Sequence, residues 1–346
     1  MLKEALKNIK SPDKDYLELS KTRIDNLIKP KGSLGKLEEI CAKISSIQKN
    51  IYPEVDKKSI IVFAADHGIF EEGVAITPRN VTLIQAVNMT KGLTGVCALA
   101  KQSGSEVVVV DVGIDSNHKE IKIIDRKLMH GTNNFTKESA MNYETAVKSI
   151  EVGIEMAYRE YGKGVKLIGV GEMGIGNTTP SSAITAVFGD YNAREVTWLG
   201  ANLPMERLEK KISVVEAGIR LNRPNKLDPI DVLSKVGGLE IGAMAGAMIG
   251  AASKGMPVVI DGFICTVAAI IATKIEPKVK DYIITSHYSM EKGAKLASEI
   301  LGIEPSLKLD LRLGEGSGAA VMFNVIDSAI CMNKYMVTFD EGGFSL

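Results

Sequence analysis

A glutamate between glycines is the side chain of this sequence best suited to acid–base chemistry. Glu315 lies in the segment Gly314–Gly318, after a run predicted to be a strand, Leu309–Leu313, and before a predicted helix that begins at Ala319. Glycine neighbours offer no side-chain partner, so a carboxylate in such a slot has a raised pKa and a stronger tendency to take a proton. A glutamate in a surface turn fits the spacing as well, and both interpretations stay open at this point.

A second glycine-rich segment has the features of a phosphate-binding turn. The run Val165–Val170 predicts a strand and Gly171–Gly176 a turn, after which Thr179 takes the position of a helix N-cap and Pro180 the first helical position. Free amides at the start of a helix attract anions. The segment has neither the Gly-Lys-Ser/Thr of a P-loop nor the glycine spacing of a dinucleotide site. A phosphate site and a merely tight turn both fit.

Other polar residues also follow predicted strands. Ser289 comes after the run Tyr282–Thr285, where its hydroxyl could cap a helix and bind an anion. Asp66 and Asp261 could hold Mg²⁺, although anchoring a turn is the commoner role of such residues. The four histidines and four cysteines are dispersed along the chain, without the spacing of metal ligands. We therefore predict no metal site and no cofactor.

The elements that must position these groups are short β-branched runs alternating with helical stretches. The predicted strands are Ser59–Ala64, Glu106–Val112, Val165–Val170, Val196–Gly200, Pro257–Ile260, Tyr282–Thr285 and Leu309–Leu313. Their alternation with helices predicts an α/β fold with a doubly wound, mostly parallel sheet flanked by helices. Ligands bind at the carboxyl ends of the strands in such sheets, so the residues that follow each run are expected to share one cleft.

Both ends of the chain are predicted to be helical. Residues 1–50 carry apolar residues at helical spacing, interrupted by a turn at Lys29–Gly32, and a long helix is predicted from Ala319 to about Met336. We expect these helices to pack together. Residues 1–55 and about 319–346 would then form a small helical domain beside a large α/β domain of residues 56–318.

The composition restricts the class of partner. Lys and Arg together number 42 and equal Asp and Glu together, so the net charge is zero and nothing in it favours nucleic acid. No apolar stretch reaches the roughly 20 residues of a membrane span. The first residues lack the apolar core of a secretory signal, and the scattered cysteines are typical of reduced, buried thiols. We expect a cytoplasmic protein that binds a small neutral or anionic molecule.

Six segments in order along the chain together resemble the nicotinate-nucleotide:dimethylbenzimidazole phosphoribosyltransferase family. They are Lys29–Gly35, Ala64–Gly68, Gly171–Thr179, Asp261–Gly262, Ser286–His287 and Leu313–Gly318. Each segment is common alone, but jointly they are specific and span most of the chain. The resemblance implies a doubly wound α/β domain with a small helical domain, a homodimer, and synthesis of the α-ribazole phosphate of the cobalamin lower ligand.

The resemblance also assigns residues by position. Glu315 matches the catalytic glutamate of the family. Thr77, Gln85 and Leu313 match residues that contact the incoming base. The positions that match the nucleotide side of the site are Glu172, Gly174, Gly176, Lys211, Ser289 and Gly318. Two residues depart from the pattern, since Lys31 stands where proline is common and Thr77 where serine is frequent, and the second departure leaves the choice of base open.

The implied reaction needs one proton acceptor. In nicotinate mononucleotide the leaving group is already a pyridinium, so nicotinate departs without protonation. One benzimidazole nitrogen attacks C1′ while the other still carries a proton, which Glu315 would remove. Attack opposite the nicotinate inverts the anomeric carbon in one step, so no nucleophilic Ser or Cys is required.

Two other functions stay open. A transferase that uses phosphoribosyl pyrophosphate and Mg²⁺ would carry two adjacent acidic residues and a Thr-Gly turn after a strand, and Glu106–Ser116 has neither. A non-catalytic nucleotide-binding protein on the same scaffold would bind nicotinate mononucleotide without releasing nicotinate.

Overall fold

The centre of the fold is a sheet of six parallel strands in the order β3-β2-β1-β4-β5-β6. The computed structural model describes residues 1–344. Its strands are β1 (Lys58–Ala65), β2 (Ser105–Gly113), β3 (Ile124–Asp125), β4 (Leu167–Met173), β5 (Val258–Ile260) and β6 (Ile283–Thr285). All-parallel strands require helical crossovers, which cover both faces of the sheet.

Fourteen α-helices within the described residues provide these crossovers and the chain ends. They are α1 (Leu2–Asn8), α2 (Lys14–Asp25), α3 (Lys36–Gln48), α4 (Val81–Thr90), α5 (Gly95–Gln102), α6 (Tyr143–Gly162), α7 (Thr178–Gly189), α8 (Ala193–Val196), α9 (Leu208–Asn222), α10 (Pro229–Val236), α11 (Leu239–Ser253), α12 (Phe263–Ile275), α13 (Lys292–Leu301) and α14 (Ser317–Tyr335). None of these helices is both long and apolar enough to cross a membrane.

Two apolar cores lie on opposite faces of the sheet. Successive residues of β1 point to opposite faces, so Ile61 and Phe63 join the core beneath α6 and α11, whereas Ile60 and Val62 join the core beneath α3 and α14. Every residue of β1 is buried. Because the central strands are buried on both faces, their sequences are continuous apolar runs. The prediction of a doubly wound α/β fold is confirmed.

Two of the predicted strands are wrong. Val196–Gly200 begins at the last residue of the short helix α8 and continues as a loop. Leu309–Leu313 is an irregular segment without strand partners, because Asp310 adopts a left-handed backbone (φ 52°) and Leu313 is 56% exposed. Sequence reasoning also missed β3, which has only two residues. The glycine segment after residue 313 therefore follows a loop rather than a strand.

The chain ends pack on different faces of the sheet. Helix α1 contacts α6 and α11, whereas α2 packs on α3 and α3 packs on α14. The predicted long helix corresponds to α14, which also contacts β4 and β5. The division into a large domain and a small helical domain stays a prediction.

The strand order creates a crevice at the carboxyl ends of the sheet. The chain runs outward from β1 to β2 and β3 and then returns to β4 on the other side of β1. Loops that leave β1 and β4 therefore diverge to opposite sides, which is where doubly wound sheets bind their ligands.

Candidate active site

A cavity of about 240 Å³ lies at the carboxyl ends of β4, β5 and β6. Seven of the residues that the resemblance assigns line it: Thr77, Gln85, Glu172, Gly174, Ser289, Leu313 and Glu315. Gly176 and Lys211 line an adjoining cavity of about 60 Å³, which shares Thr77, Gly174, Asn177 and Thr178 with the larger one. Residues distant in sequence thus meet in one site.

Glu315 points into the larger cavity although it is only 4% exposed. The Gln85 side-chain amide donates to its Oε1 at 3.1 Å, and the Val96 backbone amide at the start of α5 donates to its Oε2 at 3.4 Å. Burial raises the pKa of Glu315, and these hydrogen bonds oppose the rise. The result is a fixed carboxylate with an increased tendency to take a proton.

Glu172 is a second buried carboxyl group in the same wall. The Asn177 side-chain amide donates to its Oε2. Burial raises the pKa of Glu172 to about 8, and the nearby charges of Glu240, Asp261 and Glu315 act in the same direction. At neutral pH this group is therefore mostly a neutral acid, which can donate a hydrogen bond to a ligand.

The glycine turn ends at helix α7, whose first residue is Thr178. Asn177 occupies the N-cap position, so the predicted positions of Thr179 and Pro180 are wrong: they are the second and third helical residues. Asn177 and Thr178 already have helical geometry, so the helix begins earlier than N-cap preferences alone predict. Thr178, the first residue of α7, lines the smaller cavity, whereas the Thr179 amide donates to the Gly176 carbonyl and Pro180 has no amide hydrogen.

Lys211 on α9 reaches the start of α7 from the other side. Its Nζ donates to Thr178 Oγ1 at 2.8 Å and, within the described residues, forms no ion pair. Burial lowers the pKa of Lys211 to about 8, and the charge of Glu291 opposes this only in part. A buried ammonium beside the start of a helix supplies the positive charge that a phosphate group requires.

The wall after β6 differs from its predicted form. Ser289 is not a helix cap, because α13 begins at Lys292 and has Glu291 as its N-cap residue. Its Oγ instead accepts a weak hydrogen bond from the Glu291 amide at 3.4 Å, within the loop that separates β6 from the helix. His287 is buried in the same wall, and burial lowers the pKa of its imidazole.

Gly318 lies behind the cavity wall rather than in it. Its amide donates to Asp261 Oδ1 at 2.7 Å, and a Cβ at this position would lie 2.5 Å from the same oxygen. Asp66 is similarly engaged, since its Oδ2 accepts the Asp115 amide at 2.8 Å. Within residues 1–344 no three His, Cys, Asp or Glu side chains are placed to share a metal ion.

Sequence reasoning missed three contributors to the site. Asn177 was part of the glycine segment but had no assigned role, and Val96 and the exposed Arg312 gave no signal at all. Val96 contributes only its backbone amide, which no side-chain pattern can reveal.

Of the four cysteines, Cys331 is exposed, whereas the sequence predicted buried thiols throughout.

Comparisons with known proteins match this chain over almost its whole length. Residues 9–344 match the family profile DBI_PRT, described as phosphoribosyltransferase. The chain is 47% identical to the nicotinate-nucleotide–dimethylbenzimidazole phosphoribosyltransferase of Alkaliphilus metalliredigens, covering 100% of this chain and 99% of that protein. Its identity to the Clostridioides difficile protein of the same name is 48%, covering 99% and 98%.

The fold is shared as well. The crystal structure of the nicotinate-nucleotide–dimethylbenzimidazole phosphoribosyltransferase from Thermus thermophilus superposes with a TM-score of 0.91 at 34% identity. The match covers 96% of this chain and 99% of that one. The chain therefore belongs to the nicotinate-nucleotide–dimethylbenzimidazole phosphoribosyltransferase family.

Proposed function

We propose that the protein transfers the phosphoribosyl group of nicotinate mononucleotide to 5,6-dimethylbenzimidazole or a related base. The products are nicotinate and the α-ribazole 5′-phosphate used for the cobalamin lower ligand. The observation that carries the proposal is the pairing of a buried carboxylate, Glu315, with a separate cation-lined cavity at the start of α7. Glu315 suits the role of proton acceptor and the cavity at the start of α7 suits an anion, so one bound ribotide can contact both.

The nucleotide phosphate is placed beside Lys211 and Thr178, the first residue of α7. Bound phosphate supplies the negative charge that this buried ammonium lacks in the free protein. Gly174 and Gly176 bring the backbone close to the anion without side chains in the way. Ser289 adds a hydroxyl at the rim, and Gly318 packs behind the wall that contains Asp261. Anchoring at the phosphate positions C1′ beneath the base.

The base is placed between Glu315, Gln85 and Thr77. Leu313, which is 56% exposed, supplies an apolar surface at the cavity mouth for a flat ring. One ring nitrogen attacks C1′ as the bond to the nicotinate nitrogen breaks, and the electron pair of that bond neutralises the pyridinium. Glu315 accepts the proton from the other ring nitrogen, so the new riboside leaves uncharged at the base.

Glu172 acts on the nucleotide side as a neutral acid. With a pKa near 8 it keeps its proton at neutral pH and donates a hydrogen bond to an oxygen of the bound nucleotide. Keeping it neutral also avoids a third negative charge beside Glu315 and the phosphate.

We also propose a cytoplasmic homodimer. Ile76, Ile84 and Leu313 expose about half of their side chains next to the residues that line the cavity. Exposed apolar side chains that neighbour the site residues in this way favour coverage by a second copy. Sedimentation velocity would return the mass of two chains if this is right and of one chain if it is not.

The test of the function is product identity. The protein is incubated with nicotinate mononucleotide and dimethylbenzimidazole in the presence of a metal chelator, and products are resolved by mass spectrometry and NMR. We expect stoichiometric nicotinate and a riboside phosphate of α configuration. Turnover only with phosphoribosyl pyrophosphate and Mg²⁺, or nucleotide binding without nicotinate release, would replace the proposal with one of the two alternatives above.

A further inference from the structure

Asp261 is a buried carboxylate beside the cavity whose two oxygens are both occupied by backbone amides. It follows β5 and is 3% exposed. Its Oδ2 accepts the Gly316 amide at 2.9 Å, and its Oδ1 accepts the Gly318 amide at 2.7 Å. These two amides belong to the turn that carries Glu315, more than 50 residues away along the chain. Asp261 therefore connects the end of a sheet strand to that turn.

The turn does not hold its shape by local preference. Glu315 adopts a left-handed backbone with φ 64°, between Gly314 at 83° and Gly316 at 90°. A side chain other than glycine is disfavoured in this region, because its Cβ approaches the following carbonyl group. Some other interaction must keep Glu315 there.

Helix α14 also begins without a cap of its own. Its N-cap residue is Gly316, which has no side chain to accept the free amides of the first turn. Asp261, on a different element of the fold, accepts one of them, the Gly318 amide, together with the amide of the N-cap residue Gly316. Burial raises the pKa of Asp261 to about 7, and the hydrogen bonds from the Gly318 and Gly316 amides favour its ionised form against this rise. Two acceptor oxygens are needed for this role, because an asparagine offers only one and would turn an NH₂ group toward the other amide.

The wall behind the turn leaves no free space. A Cβ on Gly171 of β4 would lie 2.6 Å from the carbonyl carbon of Glu315 and 2.6 Å from the Gly316 nitrogen. The turn is thus held by the strand on one side and by Asp261 on the other. Movement of either amide carries the Glu315 side chain with it.

We propose that Asp261 is a positioning residue for the proton acceptor: by holding the Gly316 and Gly318 amides it fixes the Glu315 carboxylate against the base. The inference rests on the proposed function, in which Glu315 takes the base proton. Asp261 itself exchanges no proton with the substrate in this scheme. It acts through the backbone of the turn, and its loss affects turnover rather than nucleotide binding.

The test uses Asp261→Asn, which keeps volume and removes one acceptor. We expect kcat with nicotinate mononucleotide and dimethylbenzimidazole to fall about 10- to 100-fold, since small misplacements of a reacting group have effects of this size. The KM for the nucleotide should change less than about threefold. Asp111→Asn is the control for loss of a buried carboxylate elsewhere: Asp111 is fully buried, its Oδ1 accepts the Gly113 and Ile114 amides at 2.9 and 2.7 Å, and its Oδ2 pairs with Lys127 at 2.8 Å. Its kcat should stay within about twofold of wild type, with both variants assayed below their unfolding temperatures.

A double-mutant cycle separates positioning from general damage. In a Glu315→Gln background there is no carboxylate to misplace, so adding Asp261→Asn should change the residual kcat by less than about twofold. If the two substitutions lower kcat independently, so that their effects multiply in the double variant, the inference is wrong. If Asp261→Asn does not fold, Gly171→Ala displaces the same turn from the other side and should give the same fall in kcat and the same non-additivity.

The failures of the two proposals are distinguishable. Wild-type turnover by Glu315→Gln would remove the proposed role of Glu315 and with it this inference. A large loss in Glu315→Gln combined with wild-type kcat in Asp261→Asn would overturn the inference alone. A nucleotide KM that rises as much as kcat falls would assign Asp261 to binding instead.

Discussion

Replacing Lys211 by methionine should weaken nucleotide binding and at the same time stabilise the ligand-free protein. The ammonium of Lys211 is buried at the wall of the smaller cavity and bonded only to the Thr178 hydroxyl, at 2.8 Å, within the part of the chain that the structure describes. Methionine keeps most of the volume of the side chain and removes the charge. If Lys211 is placed to bind an anion, its replacement by methionine raises the free energy of unfolding of the ligand-free protein. If Lys211 is placed to support the fold, the same replacement lowers it.

The magnitudes follow from the charge. A hydrogen bond to a charged group contributes about 1.5–3 kcal/mol, so the nucleotide Kd should rise about 10- to 150-fold. Burial lowers the pKa of Lys211 from 10.5 to about 8. By linkage this corresponds to a penalty of ~3 kcal/mol in the folded protein, fully present below pH 8 and lost as the pH rises toward 10.5. The methionine variant escapes the penalty, so at about pH 7 its free energy of unfolding should exceed that of wild type by up to that amount.

The assays are isothermal titration with nicotinate mononucleotide and urea unfolding between about pH 7 and pH 10. Wild type should gain stability above pH 8, and the variant should not. Lys210→Met is the matched control, because Lys210 is the exposed neighbour on the same helix and should change neither quantity appreciably. The reasoning is refuted if Lys211→Met lowers stability at neutral pH while leaving the nucleotide Kd unchanged.

Two further predictions concern neighbouring residues. Glu172→Gln should keep kcat/KM within about threefold at neutral pH, because burial raises the pKa of Glu172 to about 8 and glutamine resembles its neutral form; a loss of about a hundredfold in steady-state assays would mean that the ionised carboxylate is required. Gly318→Ala should lower the free energy of unfolding by about 1–3 kcal/mol, since the added Cβ would lie 2.5 Å from Asp261 Oδ1. Gly162→Ala, with open space around it, should be neutral or slightly stabilising in the same denaturation experiment.

The fold was largely predictable because its central strands are buried on both faces. Runs such as Ser59–Ala64 consist almost entirely of apolar residues, and glycines and helical patterns separate them. The same signal failed at Leu309–Leu313, where alternating Leu, Asp and Arg look like a strand but Asp310 turns the backbone to a φ of 52°. Such a local reversal depends on the tertiary contacts of the following turn and leaves no mark in hydrophobic periodicity.

The site was predictable only in part, for a different reason. Glycine spacing pointed to Glu315 and to the turn before α7, and the family resemblance supplied the remaining positions. Gln85, a partner of Glu315, was among these positions, but the backbone contacts that hold Glu315 and its turn could not be found in this way. Val96 acts through its backbone amide from 219 residues away, and Asp261 acts on two other amides from 55 and 57 residues away. Sequence patterns report side-chain types, whereas these contacts depend on which strand ends and helix starts meet in space.

The turnover of Glu315→Gln tests the central claim most directly. Glutamine keeps the shape of the side chain and the hydrogen bond from Val96 but cannot take a proton, so kcat should fall about 10²- to 10⁴-fold with a much smaller change in the nucleotide KM. Glu138→Gln, at an exposed glutamate distant from the cavity, should retain wild-type rates. A Glu315→Gln protein that forms α-ribazole phosphate from dimethylbenzimidazole at nearly the wild-type rate would contradict the account.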